Sequence, residues 1–279
     1  MRLKDNDLRG HGQGQTDVRM RKAWIIHDKA SHFIVGYLIP VGLFLLLWQV
    51  ASNSFGVEVL FPPPSTTFKK LILLIKNGSL IRDILASMWR ILFGFTIGSI
   101  LGIFFGLLMG SFPMVRNILN PYVNFLRFVS GVAWISVLIV WFGIGETSKV
   151  ILIIYVTIFT VLINTMAGVA SVSVNKLRAA RCLGASEQQI FRFVTLPATI
   201  RYIVTGMRMS MANSFLTIVA AEMVQADSGL GFLIIISRNF LETDSIFSGM
   251  ITLGFLGLLM DRILMFVSRT SLWRYHLEG

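Results

Sequence analysis

Residues 94–110 read GFTIGSILGIFFGLLMG, with glycine at positions 94, 98, 102, 106 and 110. Because a helical turn takes about 3.6 residues, a four-residue repeat keeps all five glycines on one slowly drifting face. The residues between them are Phe, Ile, Leu and Met, apart from Thr96 and Ser99. A helix that is apolar all round and carries a stripe without side chains belongs in lipid. Apolar side chains gain nothing there by leaving the hydrocarbon, so the stripe serves the close approach of another backbone. Packing within the chain is the first reading, and a seam between two copies is the alternative.

Composition extends this conclusion to the whole chain. Of 279 residues, 54% are apolar and only 14% are charged, against roughly 25% charged in soluble domains; the mean hydropathy is +0.73. Six segments approach the ~20 apolar residues that cross a bilayer: 33–50, 84–109, 119–142, 150–172, 203–224 and 246–267. The expected fold is all-α and polytopic. Residues 1–32 form an N-terminal tail, 33–267 a six-span transmembrane domain, and 268–279 a C-terminal tail. If the N-terminus is cytoplasmic, fifteen of the twenty-five Lys and Arg fall in cytoplasmic segments, six outside, and four (Arg90, Arg127, Arg208, Arg262) within spans. That asymmetry puts both tails and residues 171–202 in the cytoplasm. The net charge of +11 is thereby accounted for by membrane topology rather than by nucleic acid. The single Cys182 excludes an internal disulfide. No Cys/His cluster has metal-ligand spacing, so no metal site is expected.

The outer connections have their own patterns. After Pro62-Pro63-Pro64, the residues Phe68, Leu71, Ile72 and Ile75 share a helical face, which predicts a short helix on the membrane surface. Residues 228–240, SGLGFLIIISRNF, are too short to span and predict a re-entrant or interfacial helix. Residues 143–149, GIGETSK, resemble a phosphate-binding loop but lack adjacent Gly-Lys-Ser/Thr. No catalytic residues for ATP are therefore expected in this chain.

Residues 176–200, KLRAARCLGASEQQIFRFVTLPATI, interrupt the apolar pattern on the cytoplasmic side. Residues 176–183 read as a short helix closed by Gly184 in left-handed geometry. Ser186 and Gln189 have capping-box spacing for a second helix, Glu187 suits its N-terminal dipole, and Leu196-Pro197 reads as its end. The expectation is two short helices meeting at a small-residue elbow within a loop over 173–201. Such an elbow rests on lipid headgroups or fits a groove in a cytosolic partner.

The stretch resembles the cytoplasmic loop of bacterial binding-protein-dependent ABC permeases, with Ala179, Ala180 and Gly184 on its Glu-Ala-Ala, three residues, Gly pattern. The strings WFGIGETSK, NTMAGV, AARCLGAS, TGMR, AAEM and SGLGFLI follow in the order found in permeases for sulfonates, taurine and nitrate. The likeness runs from about Phe61 to Arg274. It implies a type I importer permease in the bacterial inner membrane, acting as a homodimer with a cytosolic ABC ATPase dimer and a periplasmic solute-binding protein. It also implies ATP–Mg in the ATPase, no cofactor in this chain, and ATPase coupling through Ala179, Ala180, Gly184, Ala185, Ser186 and Glu187. The solute class implied is small and anionic: sulfonate, taurine, nitrate or bicarbonate. The chain departs from the pattern at Arg178, where the motif has Glu. It departs again at Phe128, Ser130 and Ser136, in a region often rich in proline.

Charges inside a membrane are buried and paired, or lie near water. Arg90, Glu222, Asp261 and Arg262 lie towards the ends of their spans and read as paired or snorkelling groups. Arg127 lies deeper and is a candidate for drawing an anion along a translocation path, with Trp134 and Asn164 as further lining candidates. An ion-coupled secondary transporter is the alternative, but it calls for inverted repeats and a mid-membrane acidic relay, which the sequence lacks.

Overall fold

The computed structural model describes residues 39–55 and 60–271. The tail 1–32, the first residues of the first expected span (33–38) and residues 272–279 lie outside the described residues. Among the described residues the chain is helical, without strands. It forms two compact units divided between Thr66 and Thr67. In the first, α1 (Ile39–Phe55) is followed by the proline-rich turn. Ser52 Oγ donates to the Phe61 carbonyl at 2.6 Å and Trp48 Nε1 to that of Pro62 at 3.2 Å. The prolines thus leave carbonyls that α1 side chains take up.

Helix α2 (Pro64–Lys76) leads into the second unit. Its Leu71 and Leu74 pack on the core, while Phe68, Ile72 and Ile75 face outward. The apolar face expected from sequence is thus divided between protein and surroundings. Four long apolar helices follow the expected spans: α3 (Ser79–Ser111), α6 (Glu146–Ala170), the run Glu187–Val224, and the helix from Thr243. The last, α11 (Thr243–Ser271), continues past Val267 into the stretch read as tail.

The expected single span over 119–142 is corrected. It is two helices, α4 (Pro113–Phe128) and α5 (Gly131–Phe142), bent by 96°. Val129 and Ser130 are extended, and Tyr155 Oη donates to the carbonyls of Leu126 (2.6 Å), which also accepts from the Val129 N–H, and Val129 (3.3 Å). The partner that makes the break tolerable comes from another helix, so no proline at 128 or 130 is needed.

The second correction concerns Pro197. The helix beginning at α8 (Glu187–Ile190) does not stop there; it passes through a wide π turn, Phe191–Thr195, into α9 (Leu196–Gln225). Proline cannot donate to the preceding turn, and its ring crowds the carbonyl four residues back. The π turn immediately before it relieves both problems, and Thr199 Oγ1 takes the Thr195 carbonyl at 2.8 Å.

The glycine stripe is consumed within the chain. Gly94, Gly98, Gly102, Gly106 and Gly110 face Ile153, Thr157, Val161, Thr165 and Val169 in turn, each partner 59 positions further on. The constant offset makes α3 and α6 parallel neighbours, with a β-branched side chain of α6 seated over every glycine. Gly168 and Gly206 do the same between α6 and the antiparallel α9, facing Tyr202 and Asn164. One apolar cluster joins Ile91 and Phe95 of α3, Ile153 of α6, Phe215 and Ile218 of α9, and Leu230 of α10 (Leu230–Asn239).

Candidate functional site

The elbow has the local geometry its residues dictate. Helix α7 (Val174–Cys182) carries Ala179 and Ala180. Gly184 has φ +78°; its N–H donates to the Arg181 carbonyl at 2.9 Å and that of Ala185 to the Ala180 carbonyl at 3.1 Å. These are the two bonds of a Schellman close. Ser186 begins α8 with a complete capping box: its N–H donates to Gln189 Oε1 at 2.8 Å, and its Oγ accepts from the Gln189 N–H at 3.3 Å. Glu187 accepts from Arg181 Nε at 2.9 Å and clips the two helices together. In return the carboxylate raises the Arg181 pKa. The elbow's polar groups are therefore satisfied locally. Its apex is not buried by the described residues, since Leu183 is 87% exposed and Arg178 also stands exposed.

A cavity of about 500 Å³ opens at the α4–α5 break, lined by Arg127, Ser130, Tyr155, Thr160 and Asn213 among others. Of the three path candidates, Arg127 lies on this wall. Trp134 lies beside it, its ring 5.5 Å from that of Tyr155. Asn164 sits in the α6–α9 seam and donates to the Thr160 carbonyl at 2.8 Å. Thr160 and Asn213, 3.4 Å apart, had no sequence signature, because they meet only when α6 and α9 cross.

At the opposite end of the bundle the buried charges converge. Arg90, with a side chain 3% exposed, donates to Glu222 Oε1 at 2.7 Å, to the Ser228 carbonyl at 2.7 Å and to Glu146 Oε1 at 2.7 Å. Lys149 adds a bond to Glu146 at 2.9 Å. The first N–H groups of the α10 turn are taken by side chains from α3 and α9: Gly229 by Asp83 (3.1 Å), Leu230 by Ser87 (2.9 Å) and Gly231 by Glu222 (2.9 Å). Gly229 has φ +124°, and a Cβ there would lie 2.4 Å from the Glu222 carboxylate. The pairing expected for Arg90 and Glu222 is met by each other, and Arg208 of α9 pairs with Asp261 of α11 at 2.7 Å.

A bundle of apolar helices sealed by glycine seams, with charge locked at one end and a capped polar elbow at the other, is that of a polytopic membrane protein. Residues 94–270 match the model of the binding-protein-dependent transport system inner membrane component. A probable ABC transporter permease protein of Brucella melitensis is 36% identical over 237 residues, covering 83% of this chain and 96% of that protein. The taurine transport system permease protein TauC of Escherichia coli is 36% identical over 225 residues, covering 78% and 82%. Among solved structures, a bacterial ABC transporter involved in the import of the acidic polysaccharide alginate shares the fold, with TM-score 0.59 and 14% identity over 88% of this chain and 98% of that one. The chain belongs to the family of binding-protein-dependent transport system inner membrane components.

Proposed function

We propose that two copies of this chain form the translocation path of an ABC importer in the bacterial inner membrane, with both termini in the cytoplasm. A cytosolic ATPase dimer binding ATP–Mg drives it, and a periplasmic binding protein delivers the solute. The solute is a small anion of the sulfonate, taurine, nitrate or bicarbonate class. The taurine relative supports that class, as does Arg127 on the wall of the cavity at the α4–α5 break.

The observation that carries this reading is the elbow. Its backbone is closed on itself by the Schellman bonds and capping box, yet Leu183 at its apex is left open. A self-satisfied polar knob with an apolar tip suits a preformed groove, because little ordering remains to be done on docking. In the mechanism, closure of the ATPase dimer displaces Ala179, Ala180 and Gly184–Glu187, and α8 carries the motion into α9. The bundle then switches between inward- and outward-open packings as a rigid body.

The test is disulfide trapping in the assembled complex, with cysteines placed singly at 184–187 and on the ATPase surface. Nucleotide-dependent crosslinks are expected. Persistent failure to reach the ATPase from all four positions, in a complex that still transports, refutes the coupling role.

A further inference from the structure

A second and larger cavity, of about 800 Å³, lies between the last turns of α3 and α6 and the elbow. Its size is that of ligand sites, which run roughly 300–1,000 Å³. Its walls are mainly apolar, with Phe112, Val169, Val172, Leu177, Ile190 and Phe191 contributing. Three features point to an amphiphile rather than a compact polar solute. Arg192 lines the cavity and among the described residues has no carboxylate partner, meeting only the Phe193 ring at 5.9 Å. The other charges on the wall, Arg181 and Glu187, neutralise each other at 2.9 Å, leaving one uncompensated positive charge. Ser111 Oγ, also on the wall, is buried and among the described residues has no hydrogen-bond partner. The π turn supplies Phe191, Arg192 and Thr195 to the site, and such turns occur frequently where helices serve a function.

We propose that this cleft seats an anionic phospholipid of the inner leaflet, with an acyl chain along the apolar wall and the headgroup phosphate at Arg192. Basic clefts between helices at the cytoplasmic boundary suit such headgroups. The leaflet assignment rests on the orientation proposed above. A lipid held here touches both the elbow and the helix that leaves it, so occupancy adjusts how firmly the two are joined.

The sole cysteine, Cys182, is exposed beside the site and takes a fluorescent label without engineering. The full chain is placed in phosphatidylcholine vesicles containing a small fixed fraction of nitroxide-acyl phosphatidylglycerol or, in parallel, nitroxide-acyl phosphatidylcholine. Phosphatidylglycerol is expected to quench with about fivefold higher apparent affinity, which corresponds to ~1 kcal/mol for one cation facing an anionic headgroup. Arg192→Gln should remove the preference, Val172→Trp should remove it by filling the cleft, and Lys176→Gln, off the wall, should retain it.

Equal quenching by the two lipids overturns the site. So does a preference that survives Val172→Trp, which reports surface charge only, or one abolished by inorganic phosphate, which reports a free-anion site. Absence of quenching by either lipid means that protein covers the cleft and overturns it too. Labelling of Cys182 by an impermeant maleimide from outside intact cells refutes the orientation and the inner-leaflet assignment together. Labelling from the inside with equal quenching refutes the lipid site alone.

Discussion

Replacing Gly102 with alanine puts one methyl group into the α3–α6 seam. The new Cβ would lie 2.8 Å from Val161 Cβ and 2.9 Å from the Ile158 carbonyl oxygen, where carbon atoms prefer about 3.5–4.0 Å. The obstacles are a backbone carbonyl and a β-branched Cβ, neither of which can swing aside, so the helices must part by ~1 Å. A gap of that size forfeits a quarter to a half of each facing contact. The glycines on either side share the register, so the loss spreads along the ladder. The expected cost is about 2–3 kcal/mol, the upper part of the range for overpacking.

Gly257→Ala on α11 is the control. Among the described residues no atom lies within 4 Å of the added methyl, and the change should be neutral or stabilising by about 0.5–1 kcal/mol through helix propensity. Reversible unfolding of the purified chain in mixed micelles reads both. The double variant Gly98→Ala/Gly102→Ala should cost less than the sum, because helices already parted admit the second methyl more easily. Gly102→Ala matching Gly257→Ala, or strict additivity in the double variant, would refute a rigid glycine seam.

Arg90→Met leaves Glu222 charged, buried and short of its cation; unfolding in the same micelles should show a loss of about 3–5 kcal/mol, and stability within error of wild type would refute the buried pair. At the elbow, Gly184→Val forces a β-branched residue to φ +78° at about 1–2 kcal/mol, whereas Gly184→Asn tolerates that backbone. Nothing among the described residues lies within 4 Å of a Cβ at 184, so folding of Gly184→Asn should be normal while transport and ATPase coupling fall; normal coupling would remove the partner groove. Between α10 and α11, Lys70 and then Ser245 hold Glu242 below the usual glutamate pKa. A depressed folded pKa means that this contribution is present above the unfolded value and is lost as pH falls through the folded one. It amounts to ~1 kcal/mol or less for so exposed a pair. Lys70→Met should flatten that part of the acid stability profile, and an unchanged profile in the variant would remove the pair's role.

Legibility followed the range of each interaction. Gly184 and the Ser186/Gln189 box were readable because their partners lie within five residues. The glycine ladder announced itself by its period, though not its partner helix. Each charge at the far end was visible, but Arg90 reaches across 56 positions to Glu146 and 132 to Glu222, and no local pattern encodes such pairs. The two misread breaks show the same division. Pro197 is a stop signal that a π turn overrode, whereas the true break at Val129–Ser130 has only the Ser130-Gly131 dipeptide as a local signal and is met by a hydroxyl from Tyr155.

That exchange of breaks alters how force would travel. Had the elbow helix ended at Pro197, a displaced elbow would have swung on a flexible joint and moved the spans weakly. Because α8 runs through the π turn into α9, the elbow is the end of a single long lever. Its upper part is interlocked with α6 at Gly168 and Gly206, and through α6 with α3 along the ladder. The Arg90–Glu222–Glu146 cluster fastens α3, α6 and α9 again at the far end. These three helices are therefore expected to respond to a push as one body. In that mechanism the change of shape falls on the α4–α5 pair, bent by 96° and tied to α6 at its break by the Tyr155 hydroxyl; the break forms one wall of the cavity holding Arg127, while Thr160 and Asn213 form the other. On the proposed mechanism, the motor's stroke reaches the solute as relative motion of those two walls.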